Sequence, residues 1–191
     1  MTIAPMRQFL RNETSEAHSA LDRLVGPFSC LEDYQAYLEG SARFRLPLEA
    51  ALAASPLPEA LGQWRPGLIG PDIAGDLADL HMPPPLADAD APSPERLEDW
   101  LGVLYVLEGS SLGARLLAKR AAALGLSEAY GARHLFSQSG NFSNWHAFLN
   151  ILEGVRTVDR KAVSDWAVRT FNFAYSAYES SMECRLPQPS I

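Results

Sequence analysis

Apolar residues recur at helical spacing along most of the chain. From Met6 to about Val25 the pattern sets Leu10, Leu21 and Val25 on one side of a single amphipathic helix. Ser29-x-x-Glu32 has the form of a capping box and predicts a second helix running toward Ala54. Pro47 should kink that helix or end its regular part. Two short helical pieces are expected at residues 58–64 and 72–80. Residues 82–93, MPPPLADADAPS, carry four prolines and few large apolar side chains, and so predict a crossing loop.

Ser93, Pro94 and Glu95 then supply an N-cap, a proline at the first helical position and an acid in the first turn. The periodic pattern runs from there to Leu124, with Gly125 as the stop. A straight helix of that length spans about 46 Å. Beyond a loop near Gly140, residues 143–155 and 159–182 predict two more helices, and Pro187 closes the chain. No hairpin dipeptide, internal repeat or low-complexity tract interrupts this order. The expected fold is an all-α bundle of six to eight helices, one domain over residues 1–191.

Composition narrows the function. With 191 residues and 47% hydrophobic content the chain is long enough for a substantial core. A net charge of −7 and a pI near 5.1 are a poor match to nucleic acid or an anionic membrane surface. No continuous run of 18 apolar residues and no secretory leader are visible, which predicts a cytoplasmic protein without a membrane span. Cys30 and Cys184 form neither a metal pattern nor a haem-attachment motif and read as two free thiols.

Two features carry chemistry. Inside the long apolar helix Gly109 and Gly113 stand one turn apart, although each costs a helix about 1 kcal/mol relative to alanine. Either a neighbouring helix crosses closely there, or the missing side chains leave room for a flat ligand. The second feature is His18. Leu10, Leu21 and Val25 share its face, and an imidazole there needs a polar partner or a metal. Asp22 at i+4 can take one ring nitrogen, fixing the tautomer and raising the basicity of the other. Arg11 lies two turns earlier, about 10 Å away along the axis, where a cation suits a porphyrin propionate. His81 and His134 fall in loop-like stretches and His146 on a helix, where surface or capping roles are the commoner use.

The segments LRNETSEAHSALDRLV and LYVLEGSSLGARLLAKRAAALGL resemble the proximal and distal helices of bacterial haem oxygenases. The later GARHLF and WHAFLNIL stretches and the aromatic last helix are also similar, so the likeness spans about residues 6–178 in order. On the family's pattern the iron ligand falls on His18, the basic residue seven positions earlier on Arg11, and the propionate-contacting tyrosine on Tyr105. The distal glycine pair falls on Gly109 and Gly113. Many members place a further glycine directly after the second; this chain has Ala114.

The resemblance implies a haem oxygenase-type helical bundle with haem between a proximal N-terminal helix and a distal glycine-kinked one. It implies haem b as both cofactor and substrate, opened by O2 and external electrons to biliverdin, carbon monoxide and Fe2+. Gly109 and Gly113 would make room beside the ring and Asp22 would support the ligand, as the catalytic part of the site. An electron donor of ferredoxin or flavin reductase type is the implied partner, and a bilin-binding photoreceptor is one acceptor of the product. On the same likeness Trp145 would line the distal pocket and Arg169 approach a propionate, while Phe171, Phe173, Tyr175 and Tyr178 read as core. Arg115, Lys119 and Arg120 read as a solvated helix face, the alternative being a docking point for the donor. Two rivals stand beside this reading. A di-iron carboxylate enzyme needs acids three or four residues before a histidine, and none of the four histidines has one. A haem-binding sensor or carrier of the same fold without turnover shares every binding residue.

Overall fold

A computed structural model describes residues 4–86 and 91–183. Cys184 and Pro187 lie outside the described residues, as do positions 87–90 of the predicted crossing loop. Among the described residues the chain forms nine α-helices: α1 (Met6–Glu13), α2 (Ser15–Val25), α3 (Leu31–Ala54), α4 (Gly70–Asp79), α5 (Leu97–Gly109), α6 (Ser111–Ala123), α7 (Arg133–Gly140), α8 (Phe142–Gly154) and α9 (Arg160–Glu183). A single 3-10 turn lies at Glu59–Leu61, shorter than the helical piece expected there. The all-α class follows from the periodicity, and the larger helix count has local causes.

Two of the predicted helices, the first and the one starting near Pro94, are interrupted at consecutive hydroxyl residues. In the first, the Thr14 hydroxyl donates to the Leu10 carbonyl and the Ser15 hydroxyl to that of Asn12, each at 2.8 Å. In the second, the hydroxyls of Ser110 and Ser111 donate to the carbonyls of Leu107 and Glu108 at 2.6 and 2.7 Å. Such bonds favour a bend, although Ser180 and Ser181 make the same pair inside α9 without interrupting it. α5 begins at Leu97 rather than Pro94, because the Asp99 carboxylate accepts the N–H groups of Arg96 and Glu95 at 2.9 and 3.2 Å. The start of α3 is likewise held by Asp33, which accepts the Ser29 N–H at 2.7 Å, and not by the expected Ser29/Glu32 box. Pro47 does not end α3; the buried Leu48 and Leu52 carry the helix on to Ala54. Gly125, at φ +86°, stops α6 as expected.

α7 was not foreseen, since residues 131–136 read as loop. Its first N–H groups, those of Arg133 and His134, are accepted by Asp76 at 2.8 and 3.0 Å. The cap therefore comes from α4, 57 positions earlier in the chain.

α9 is the organising helix: it packs along α5 and α3 and reaches α2 and α1. Glycines make the closest approaches. A side chain at Gly102 would begin 2.6 Å from the Val163 carbonyl oxygen, and one at Gly40 would begin 2.3 Å from the Tyr178 ring. The continuous span Leu97–Ala123 is long and apolar enough by composition to cross a membrane, which qualifies the sequence reading. More than half of its most apolar window is buried inside this fold, as the core helix of a bundle is.

The glycines of that span are not equivalent. Nothing lies within 4 Å of where a Gly113 side chain would begin. Gly102→Ala should therefore destabilise the protein by about 1–3 kcal/mol through overpacking, whereas Gly113→Ala should leave stability unchanged or raise it by up to about 1 kcal/mol. Urea denaturation of both variants measures this, and equal losses would show that the two positions serve the same packing role.

Candidate functional site

The N-terminal helices and the α5–α6 span are tied together at two points. At one, the Tyr105 side chain reaches Thr14, at the joint between α1 and α2. At the other, Arg120 Nη1 donates to the Gly26 carbonyl at the end of α2, at 3.4 Å. Between these ties α2 buries none of its residues completely. The His18 side chain is 59% exposed, with Nδ1 3.0 Å from Asp22 Oδ2. Its ring stands edge-on to Phe171, with centroids 5.6 Å apart. The expected Asp22 pairing is present, whereas the imidazole sits at the open rim of its apolar face rather than within the core. With Nδ1 engaged by the carboxylate, Nε2 is the nitrogen left to bind.

Between the same two ties, Gly109, Leu112, Gly113 and Leu116 follow one another at i, i+3, i+4 and i+7. A side chain at Gly109 would meet only the Trp145 ring, at an ordinary 3.6 Å, and one at Gly113 would meet nothing. Leu112 and Leu116 are 50% and 55% exposed. These glycines therefore serve no helix crossing, in contrast to Gly102 and Gly40. They lie in an uncovered apolar stripe, which marks an interaction site. A shallow cavity of about 150 Å3 flanks it, lined by Ser111, Leu112, Arg115, Ser139 and Phe142.

The edge near Tyr105 is cationic. Burial pushes the Tyr105 hydroxyl above the ordinary tyrosine range, while Thr14 and the charges of Arg7 and Arg11 pull it back. Arg7 and Arg11 are both exposed. The remaining histidines are placed otherwise. His134, read as a loop or surface residue, is 1% exposed, with Nδ1 2.7 Å from Asp76 and its ring stacked on Tyr37. Its burial depends on a contact between α4 and α7 that local sequence does not show. His81 is exposed, and His146 is exposed with Nδ1 3.0 Å from the Phe142 carbonyl. Arg169 stacks over Trp166. Arg115 and Lys119 are solvated, and Arg120 forms the tie described above.

Among the described residues no group of three or more His, Cys, Asp or Glu side chains comes together as a metal-ligand set. A single imidazole suits a metal whose other ligands arrive with it. The site thus combines one free ring nitrogen, an apolar stripe with missing side chains and a cationic edge, which together fit a flat metallated macrocycle with anionic edge groups. No protein-family model matches the sequence. Over 170 residues, 81% of this chain and 84% of the relative, the sequence is 38% identical to Heme oxygenase PigA of Pseudomonas aeruginosa.

The chain belongs to the haem oxygenase family.

Its fold is similar to that of the NO- and CO-bound haem oxygenase of Neisseria meningitidis, with a TM-score of 0.77 and 24% identity. That superposition covers 98% of this chain and 96% of the other. Sequence reading of this haem oxygenase missed Leu112 and Leu116, although their spacing from the glycines was visible. It also missed Thr14 and the Arg120 tie, which only the folded chain brings into place.

Because His18 and Leu116 face solvent, His18→Ala and Leu116→Ser should each change folding stability by no more than about 0.5 kcal/mol. His134→Ala, which strips a partner from buried Asp76, should cost about 1–3 kcal/mol. Thermal or urea unfolding of the haem-free proteins distinguishes them; a loss at His18 as large as that at His134 would make His18 a core histidine.

Proposed function

We propose that this haem oxygenase binds one haem b between α2 and the α5–α6 stripe and cleaves it, with O2 and external electrons, to biliverdin, carbon monoxide and Fe2+. The observation that carries this reading is that the exposed His18 and the uncovered glycine stripe lie between the same two interhelical ties. When bound, haem supplies the iron at which dioxygen is reduced and the meso carbon that is oxidised.

The protein's part is to hold and to leave space. His18 Nε2 is the iron ligand, and Asp22 on Nδ1 keeps the imidazole in the correct tautomer and makes it a stronger donor. Leu112 and Leu116 cover the apolar ring surface, which gives a physical reason for two large hydrophobic side chains left in water. Gly109 and Gly113 leave the volume in which the oxygen substrate lies against the ring. None of the four stripe positions carries an acid, a base or a cation, so these positions act by leaving or filling space. Arg11 and Tyr105, with Arg7 beside them, anchor the propionates and set the rotation of the ring. The reading extends to a donor of ferredoxin or flavin reductase type, a bilin-binding photoreceptor as one product acceptor, and action in the cytoplasm as a single unit over residues 1–191.

The direct test is a single turnover of the haem-loaded protein with ascorbate, in which the Soret band should give way to biliverdin absorption. His18→Ala should lose the histidine-ligated spectrum and the Fe–His stretch in resonance Raman, and added imidazole should restore both. An unchanged Fe–His stretch without imidazole would remove His18 as the ligand.

Ring orientation gives a second test. A charge-assisted contact is worth about 1.5–3 kcal/mol, so losing one shifts a rotational preference about ten-fold or more. Arg11→Ala and Tyr105→Phe should therefore change the ratio of biliverdin isomers seen by chromatography. An isomer pattern identical to the parent in both variants would take these residues out of the site.

A further inference from the structure

Glu108 stands one residue before Gly109 and is only 3% exposed. Burial pushes its carboxyl above the usual range, while hydrogen bonds from Gly67 and Asn144 and the charge of Arg45 pull it back. An apolar residue would occupy such a place at lower cost. What the carboxylate provides is connection. Oε1 accepts the Gly67 N–H at 2.7 Å and Oε2 accepts Asn144 Nδ2 at 3.0 Å, while the same amide donates to the Arg65 carbonyl at 3.1 Å. The Gly67 carbonyl in turn accepts Arg45 Nη2 at 2.9 Å, and Arg45 Nε is held by Glu49 at 2.8 Å. Glu49 also accepts the N–H groups of Ile69 and Gly70, at 3.1 and 2.8 Å. One buried polar knot thus joins α3, α5, α8 and the loop of residues 65–70.

Its place along the helices matters. Glu108 bonds Asn144, and at the next residue of each helix the Trp145 ring lies 3.6 Å from where a Gly109 side chain would begin. One turn earlier, Tyr105 packs on the same indole, with centroids 5.8 Å apart. A shift of α8 along α5 would break the buried bond and unseat Trp145 from both partners.

We propose that Glu108 and Asn144 are positioning residues for the reaction. Their hydrogen bond sets the register of α8 on α5, seats Trp145 on Gly109, and so fixes where the helix break stands against the bound ring. This inference rests on the reading of the α5–α6 stripe as the haem-facing wall.

Amide hydrogen exchange on the haem-free full chain tests the register without reference to haem. In Glu108→Ala and in the milder Asn144→Ala, amides of residues 109–114 and 145–149 should exchange at least ten-fold faster, while α3 and α9 keep parental rates. Glu108→Gln, which retains an acceptor for the Gly67 N–H but sets an NH2 against the Asn144 amide donor, should accelerate residues 145–149 as Asn144→Ala does. After haem loading, Asn144→Ala and Glu108→Gln should both give an altered biliverdin isomer ratio. Acceleration spread evenly over all helices, or a parental isomer ratio in Asn144→Ala, would overturn the positioning role. Failure of the parental chain to bind haem would instead overturn the site reading and leave the exchange result intact.

Discussion

Where α5 crosses α9, Gly102 brings the two backbones to a separation at which the Val163 carbonyl and the Ala167 amide occupy the space of a side chain. That approach decides which way α5 can face. Trp100, Leu104 and Leu107 are committed to the core, and Glu108 to the loop and α8. Past the Ser110 break, Ser111, Ala114, Ala118 and Ala121 are the buried positions of the following helix, the three alanines against the second apolar cluster. The stripe from Gly109 to Leu116 is the side left over, held from behind and at its two ends.

Holding from the ends explains the use of polar contacts there. A slot lined by packed side chains would close by burying them. Tyr105 beside Thr14 and Arg120 on Gly26 instead bring α1–α2 and α5–α6 together at two points. Arg11 and Arg7 beside Tyr105 add positive charge at one end of the stripe.

Much of this was legible in the residues. Periodicity located the long helices, the His18–Asp22 spacing located their pair, and Gly125 marked an end that its positive φ explains. Gly102, Gly109 and Gly113 look alike in one dimension, and only the packed backbone separates the first from the other two. α7 and buried His134 were missed for one reason, that their common partner Asp76 lies on another helix. The breaks at Thr14 and Ser110 fall at adjacent hydroxyls that turn back onto their own helix, but Ser180 and Ser181 do the same inside an unbroken α9, so the hydroxyl pair alone does not mark a break.

α2 is the one helix of the N-terminal pair with no completely buried residue, although it carries the imidazole. Segments with so little burial open at the low end of a protein's free-energy ladder, well before global unfolding. A ligand that covers α2 supplies the burial its own sequence withholds, and by mass action it protects that segment in proportion to its free concentration. With haem on α2 as proposed, substrate supply and the lifetime of the folded N-terminus would be coupled through eleven residues.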